Sequence, residues 1–268
     1  MVNESVRFDR AVDFYDQTRG FPPGEEQPIA ALICRTGGFN EASRVLEIGV
    51  GTGRIGLPVA RRVGAYFGVD LSASMMLRLK AKQQGETIYV GQADAAWLPF
   101  PARSFDGVVA VHVFHLIPAW RQVLDEVRRV LRPGAPLVHC WTRDDQTFRK
   151  LWEAWRAVVP PEQQADAGVQ WKRNPDFLLD EGWQAAGDEQ THAYSVERAP
   201  SELLEALRCR VWSSTWRLTD DELERGAVAM QAAIAADYPN PDAPLPMRYT
   251  LMARAYLPPA EEPPGPPF

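Results

Sequence analysis

Short apolar runs and helical stripes of apolar residues alternate through the first half of the chain. Five runs have the mainly apolar character of buried parallel strands, at residues 45–50, where only Glu47 breaks the apolar run, 65–69, 88–91, 107–111 and 136–141. Helical spacing of apolar residues follows the first run and returns at 120–131, where Pro133 and Gly134 end the segment. Because strands alternate with helices in this way, the pattern predicts a doubly wound parallel sheet.

The second half of the chain begins with an aromatic stripe at helical spacing, which consists of Phe148, Leu151, Trp152, Trp155 and Val159. Such a stripe is more often core, although large apolar side chains over the ligand edge of a sheet would also form a binding chamber. Residues 191–198 and 248–257 are predicted strands, and 201–216 and 220–236 are predicted helices between them. Ser72 and either Thr219 or Asp220 are predicted helix N-caps.

This pattern divides the chain into four predicted parts. Residues 7–19 carry apolar residues at helical spacing and are stopped by Pro22 and Pro23. The tail is rich in proline, which favours an extended polyproline conformation. The parts are an N-terminal helical cap segment (1–40), a core (41–143), helical cap insertions with the last two strands (144–257) and the proline-rich tail (258–268).

Composition and charge argue against several classes of protein. The formal net charge of −6 over 268 residues disfavours an electrostatic nucleic-acid binder. Cys34, Cys140 and Cys209 are widely spaced and belong to no Cys/His cluster, so no metal is expected. Free thiols fit a reducing cytoplasm. Since the sequence has no apolar signal core and no membrane-length apolar run, it predicts a cytoplasmic protein without membrane association.

Alternate glycines stand where the first strand meets its helix. Gly49, Gly51 and Gly53 form a turn that leaves backbone N–H groups and the positive end of a helix dipole facing a cavity. Glycines at these positions let a ligand lie against the main chain, so the loop predicts a nucleotide cradle. Together with Gly56 the loop also fits the G-x-G-x-x-G spacing of dinucleotide-binding folds, which leaves an NAD site as an alternative.

Starting at Glu47, the same loop has the pattern E-x-G-x-G-x-G. It resembles motif I of the class I S-adenosylmethionine-dependent methyltransferases, in particular the methyltransferase type 11 and ubiquinone-menaquinone biosynthesis group. The later stretches GVDLSASMM and GQADAAWLPF resemble stretches that follow motif I in this family. The resemblance covers residues 8–140 and implies an α/β, Rossmann-like doubly wound sheet of about seven strands. The strands would be mostly parallel with an antiparallel last strand, and a helical cap would be added.

The resemblance also implies the cofactor S-adenosyl-L-methionine and residues that hold it. Glu47 would help to hold the cationic end of the cofactor, and Asp70 would accept hydrogen bonds from both ribose hydroxyls. Met75 would pack on adenine, while Asp94 and the N–H of Ala95 would bond the adenine edge. The implied cofactor-binding set is Tyr15, Arg19, Glu47, Gly49, Gly51, Gly53, Asp70, Leu71, Met75, Asp94, Ala95 and His112.

Two segments outside motif I contain further candidate site residues. The stretch FYD-x-x-R precedes motif I in many related enzymes and closes over the cofactor, so Tyr15 and Arg19 would contact its methionyl end. His112 and His115 follow the fourth strand, where the family often has LHHLPD. Because imidazole titrates near neutrality, His115 is a candidate general base, and a packed structural histidine is the competing interpretation.

The sequence therefore predicts an S-adenosylmethionine-dependent methyltransferase that acts on a small-molecule acceptor, as a monomer or homodimer. The cofactor's methyl group is already activated, so the protein mainly has to align the acceptor and exclude water. One alternative is an NAD-dependent oxidoreductase, although no tyrosine precedes a lysine by four positions as short-chain dehydrogenases require. The other is a non-catalytic cofactor-binding module whose cap recognises a protein partner. The methylated atom of the acceptor stays open among oxygen, nitrogen, carbon and sulfur.

Overall fold

One mixed sheet carries the fold, and its strands come from both halves of the chain. The computed structural model describes residues 5–170 and 174–260. The strands are β1 (Arg44–Ile48), β2 (Ala65–Asp70), β3 (Ile88–Gln92), β4 (Gly107–Val111), β5 (Leu137–Asp144), β6 (Gln184–Ala185), β7 (Gln190–Arg198) and β8 (Leu245–Leu257).

The strand order confirms the predicted fold class. The sheet runs β3-β2-β1-β4-β5-β8, and both β6 and β7 pair with β8. Strands β1 to β5 are parallel, whereas β8 is antiparallel to β5, β6 and β7. The sequence did not predict β6, which is only two residues long. Residues 261–268 of the expected tail lie outside the described residues.

Helices connect the strands and cover both faces of the sheet. They are α1 (Tyr15–Arg19), α2 (Glu26–Gly37), α3 (Gly56–Ala60), α4 (Ala73–Lys82), α5 (Trp120–Val130), α6 (Arg149–Val158), α7 (Pro161–Gln164), α8 (Phe177–Asp180), α9 (Pro200–Arg208) and α10 (Asp220–Asp237). The predicted caps are present, since Ser72 accepts from the N–H of Met75 and Thr219 accepts from the N–H of Glu222. In the described part of the chain, no helix combines the length and apolar character needed to cross a membrane.

Successive residues of the central strands point into two different cores. In β1, Val45 packs with α2 and α3 on one face, and Leu46 packs with α5 on the other. Strand β4 is buried at every position, as a strand covered on both faces must be. A third cluster joins α6, α9 and α10, and its centre includes Leu151 and Trp155 of the aromatic stripe.

The helix predicted at 201–216 is shorter in the structure. Helix α9 ends at Arg208, and the chain turns at Arg210, whose φ is 51°. The Arg210 guanidinium donates to the carbonyls of Thr215 at 2.6 Å and Leu218 at 2.7 Å. These bonds close a loop in which apolar residues continue at helical spacing, although the backbone is no longer α-helical and contains only a short 3-10 helix at Ser213–Thr215.

Candidate active site

The carboxyl ends of β1, β2 and β4 open into a cavity of about 300 Å³. In an open α/β sheet this edge, where the strand order reverses, is the usual ligand site. The N-terminal segment contributes part of the lining, and β7 and β8 form a further wall. From the predicted cofactor set, the lining contains Tyr15, Arg19, Gly49, Gly51, Asp70, Leu71, Met75, Asp94, Ala95 and His112. His115 also lines the cavity.

The glycine loop forms the floor of the cavity. Gly49 and Gly51 have φ values of 74° and 53°, which favour glycine. A Cβ atom on Gly49 would lie 2.8 Å from Cγ2 of Val113, so no side chain fits there. Gly53 has a different role, because its Cβ would lie 2.6 Å from Cγ of Leu79 in α4. Gly53 allows close helix packing and is not part of the lining.

Asp70 stands at the end of β2 and faces the loop. Its Oδ2 accepts the N–H of Gly51 at 2.8 Å, and its Oδ1 accepts the N–H of Ser72 at 2.8 Å. Burial raises the pKa of Asp70, and these two backbone bonds oppose that effect. Each carboxylate oxygen retains acceptor capacity toward the cavity. The side chain can therefore accept two hydroxyl donors while it holds the loop in place.

The loop after β3 supplies a second acid beside an apolar surface. Asp94 accepts the N–H of Ala96 on Oδ1 at 2.9 Å, which fixes the carboxylate in a local turn. Ala95 and Met75 are buried next to it, and Leu71 completes this side of the cavity. An apolar surface with an adjacent acceptor and a backbone N–H suits a nucleobase.

Hydrogen bonds join the N-terminal segment to residues on the cofactor side of the cavity. The sequence did not predict these bonds. Asp16 accepts from Oγ1 of Thr52 at 2.5 Å and from Nζ of Lys82 at 2.8 Å. Asp9 accepts from Oγ of Ser72 at 2.7 Å. Arg54 donates from Nη1 to the carbonyl oxygen of residue 19 at 2.8 Å. No sequence signal marks these pairs, because their partners are brought together only by the fold.

Arg19 brings a positive charge to the cavity. Among the described residues its guanidinium has no hydrogen bond or ion pair, and burial lowers its pKa below the ordinary value for arginine. Arginine stays charged in proteins despite such a shift. A half-buried guanidinium without a partner is suited to bind a carboxylate.

Glu47 and the cavity are separated by the glycine loop. The side chain is 2% exposed, and its Oε2 accepts a hydrogen bond from the Tyr66 hydroxyl at 3.1 Å. Burial raises the pKa of Glu47 to about 8, so the carboxyl is mostly protonated at pH 7. The structure thus places Glu47 behind the site, and its expected contact with a cationic cofactor stays a prediction.

Histidines line the side of the cavity near β4 and β5. His112 has a φ of 51°, and its Nε2 lies 2.9 Å from Oγ1 of Thr142. Burial lowers the pKa of His112 well below 6.5, with the charge of Arg54 as the next cause, so the imidazole is neutral at pH 7. His139 lies deeper, where burial lowers its pKa to about 3. Within residues 5–170 and 174–260, no group of His, Cys, Asp or Glu could hold a metal ion.

Part of the chain is similar to known methyltransferases. Residues 46–139 match the family model of the methyltransferase domain. This stretch is less than half of the chain, and it is similar to the methyltransferase domain. S-adenosyl-L-methionine, the cofactor predicted from the sequence, is thereby confirmed at the level of the family. The match begins within β1 and ends within β5, so it contains the glycine loop, Asp70 and Asp94.

Two curated relatives resemble this methyltransferase domain. A fatty-acid O-methyltransferase of Mycolicibacterium smegmatis is 35% identical over 122 residues, which are 45% of this chain and 44% of that protein. A phosphatidylethanolamine N-methyltransferase of Cereibacter sphaeroides is 37% identical over 99 residues, which are 35% of this chain and 48% of that protein. In both cases the match spans less than half the length of the relative.

A solved structure is similar over a longer stretch. Phosphoethanolamine N-methyltransferase 2 of Haemonchus contortus, in complex with phosphomonomethylethanolamine and S-adenosylhomocysteine, superposes with a TM-score of 0.51. The superposition covers 95% of this chain and 59% of that chain at 18% identity. At this identity the likeness concerns the fold alone.

Proposed function

We propose that the protein is an S-adenosylmethionine-dependent methyltransferase that acts on a small-molecule acceptor. The observation that carries the proposal is the distribution of charge in one cavity. Asp70 at the end of β2 and Asp94 after β3 line the same cavity as Arg19 of the N-terminal segment. The cofactor carries a diol and an adenine at one end and a carboxylate at the other, so two acceptors and one guanidinium in the lining are complementary to these groups.

The proposed roles follow from these positions. Gly49 and Gly51 let the cofactor lie against the main chain, and Asp70 accepts the ribose hydroxyls. Asp94 and the N–H of Ala95 bond the adenine edge, beside the apolar surface of Leu71 and Met75. Tyr15 and Arg19 hold the methionyl end, with the guanidinium bound to the carboxylate.

When bound, the cofactor supplies a methyl group that a positively charged sulfur has already activated. The residues of the chain then have to position an acceptor and exclude water. Val113 and Ile117 are buried apolar parts of the lining that serve this purpose. The neutral imidazole of His112 adds no positive charge that would repel a sulfonium. We assign no general base, and His115 stays a candidate on its position in the lining alone.

The NAD alternative has weaker support from the geometry. Of the three glycines in its motif, only Gly51 lines the cavity. A Cβ on Gly53 would meet Leu79, and a Cβ on Gly56 would lie 3.0 Å from Oε2 of Glu47. In a dinucleotide site the second glycine lets the backbone approach the pyrophosphate, whereas Gly53 serves internal packing here. Close packing at Gly56 is expected in either case and does not distinguish the two cofactors.

Calorimetry on the full chain tests the proposal. Separate titrations with S-adenosylmethionine, S-adenosylhomocysteine and NAD should show saturable binding of the first two and none of NAD. Tight binding of NAD without binding of S-adenosylhomocysteine would overturn the proposal. Binding of both S-adenosyl compounds without methyl transfer to any of a broad panel of small molecules would favour the non-catalytic module.

We also propose that different segments of the chain form the cofactor end and the acceptor side of the cavity. The N-terminal segment covers the cofactor end, as the bonds of Asp9 and Asp16 support. The segment 144–257 contributes the acceptor side mainly through β7 and β8. The aromatic stripe of α6 packs within its own cluster with α9 and α10, and its residues are not in the cavity lining. The acceptor chamber is thus built by strands rather than by the tryptophans.

A further inference from the structure

The wall formed by β7 and β8 has features that the cofactor does not require. Tyr194, Val196 and Arg198 lie at alternate positions of β7 and share the face that lines the cavity. Tyr194 is paired directly with Tyr249 of β8, and their rings stack with centroids 5.6 Å apart at 25°. Two tyrosines, a valine and an arginine thus line one wall of the cavity.

The positive charges of the cavity outnumber the cofactor's single carboxylate. Arg19, Arg54 and Arg198 are all part of the lining. Arg54 is engaged, because it donates to the carbonyl of residue 19 and lies 5.0 Å from the ring centroid of Phe21. Under the proposed function Arg19 binds the cofactor carboxylate. No group of the cofactor is then assigned to Arg198.

Arg198 has no strong partner of its own. It forms an ion pair with Glu202, with Nη1 3.9 Å from Oε2, which is too far for a hydrogen bond. That carboxylate oxygen instead accepts the N–H of Ala199 at 3.2 Å. The Arg198 side chain is 40% exposed, so the ion pair with Glu202 is weak.

Arg19 and Arg198 line the same cavity as the two tyrosines. Burial raises the pKa of Tyr249 to about 12, with the negative charge of Asp144 as the next cause, and the positive charges of Arg198 and Arg19 oppose this rise. Asp144 is the cross-strand neighbour of Tyr249 on β5 and is not part of the lining. A ligand at this wall therefore meets aromatic side chains and the positive charge of Arg198.

We propose that the methyl acceptor carries an anionic group, a carboxylate or a phosphate monoester, which Arg198 binds beside the Tyr194–Tyr249 wall. This inference rests on the proposed function and names the substrate class of that site. The body of the acceptor would pack on the tyrosine rings and on Val196 of the same strand face. Arg198 is a specificity-determining residue in this arrangement, and it is distinct from the residues assigned to the cofactor.

The test uses the full chain saturated with S-adenosylhomocysteine. Decanoate and benzoate represent carboxylates, phenyl phosphate represents phosphate monoesters, and decanol and benzyl alcohol are neutral counterparts. Calorimetry should show saturable binding of at least one anion and much weaker binding of its neutral counterpart. Arg198→Gln should weaken that anion's binding by about ten- to a hundred-fold, because a hydrogen-bonded charge is lost. Arg198→Lys should recover part of the affinity, since the charge remains.

Controls separate this inference from the function on which it rests. Arg248→Gln removes an exposed arginine from the neighbouring strand and should leave anion binding unchanged. S-adenosylhomocysteine should bind Arg198→Gln as tightly as the unaltered protein. If S-adenosylhomocysteine binds and no anion does, or if Arg198→Gln binds anions normally, the inference is wrong while the proposed function stands. If S-adenosylhomocysteine itself fails to bind, both are wrong.

Discussion

The substitution Glu47→Gln tests whether the acid of the glycine motif is charged in the folded protein. Glu47 is 2% exposed and accepts a hydrogen bond from Tyr66, whose hydroxyl is itself buried. Burial raises the pKa of Glu47 from an ordinary value of 4.5 to about 8. Glutamine has nearly the same shape and can still accept from Tyr66, but it cannot titrate. Comparing the stability of the unaltered protein with that of Glu47→Gln therefore measures the effect of ionising Glu47.

The sign of the effect follows from proton linkage. Between pH 5 and pH 8 the unfolded chain has released the Glu47 proton, whereas the folded protein retains most of it. The unaltered protein therefore loses free energy of unfolding relative to Glu47→Gln as the pH rises through this window. A shift from 4.5 to about 8 corresponds to a relative loss of about 3 kcal/mol between pH 5 and pH 8. The loss levels off above the folded-state pKa.

Urea denaturation of both proteins at pH 5, 6, 7 and 8 measures this difference, and other titrating groups cancel in the comparison. Glu86→Gln is the control. Burial would raise the pKa of Glu86, but hydrogen bonds from the N–H of Gln84 and from Arg61 overcome it and lower the pKa. The stabilisation from Glu86 is lost only as the pH falls below 4.5, so its difference curve should be flat from pH 5 to 8. A flat curve for Glu47→Gln as well would refute the reasoning and restore a charged Glu47 as a partner for a cationic cofactor.

The remaining predictions concern the cofactor end and the cap. Asp70→Ala should weaken S-adenosylhomocysteine binding by about ten- to a hundred-fold in calorimetry, because a charged acceptor is lost, while Asp13→Ala, at an exposed site, should have no effect. Asp16→Ala should weaken the same binding by releasing the N-terminal segment from Thr52 and Lys82, and an unchanged dissociation constant would show that these bonds do not support the site. Hydrogen exchange should slow around residues 209–219 when S-adenosylhomocysteine and an acceptor analogue bind together, because Ser213 is part of the lining. If the exchange rate there is the same with and without ligands, this segment does not close on binding.

The elements that local chemistry determines were predicted well. Strand β4 was predicted with its observed bounds, because a strand buried on both faces must be apolar throughout. The caps at Ser72 and Thr219 depend on side chains within three residues of their partners, so the sequence contains the whole signal. Helix α2 was not predicted as a separate element, although its buried face packs in the first core cluster.

Features that depend on partners distant in the sequence could not be predicted from local residue patterns. Glu47 occupies the motif position of a cofactor-facing acid, yet only the fold reveals Tyr66 as its partner and the glycine loop between it and the cavity. The aromatic stripe around Trp155 fitted either a core or a binding chamber. Its partner is α10, where a Cβ on Gly226 would lie 2.6 Å from the Trp155 ring. That close approach could not be inferred from helical spacing alone.

The same limit explains why the acceptor wall emerged only from the structure. Alternation along β7 predicts which side chains share a face, but it does not reveal what that face meets. The pairing of Tyr194 with Tyr249 brings residues of two strands together across an inserted helical segment, and it aligns Val196 with Met247. A shift of this register by one residue would turn one strand's side chains to the opposite face and separate the two rings. The position of Arg198 at the cavity is therefore a consequence of strand register, and the acceptor's proposed anionic group depends on the register being kept.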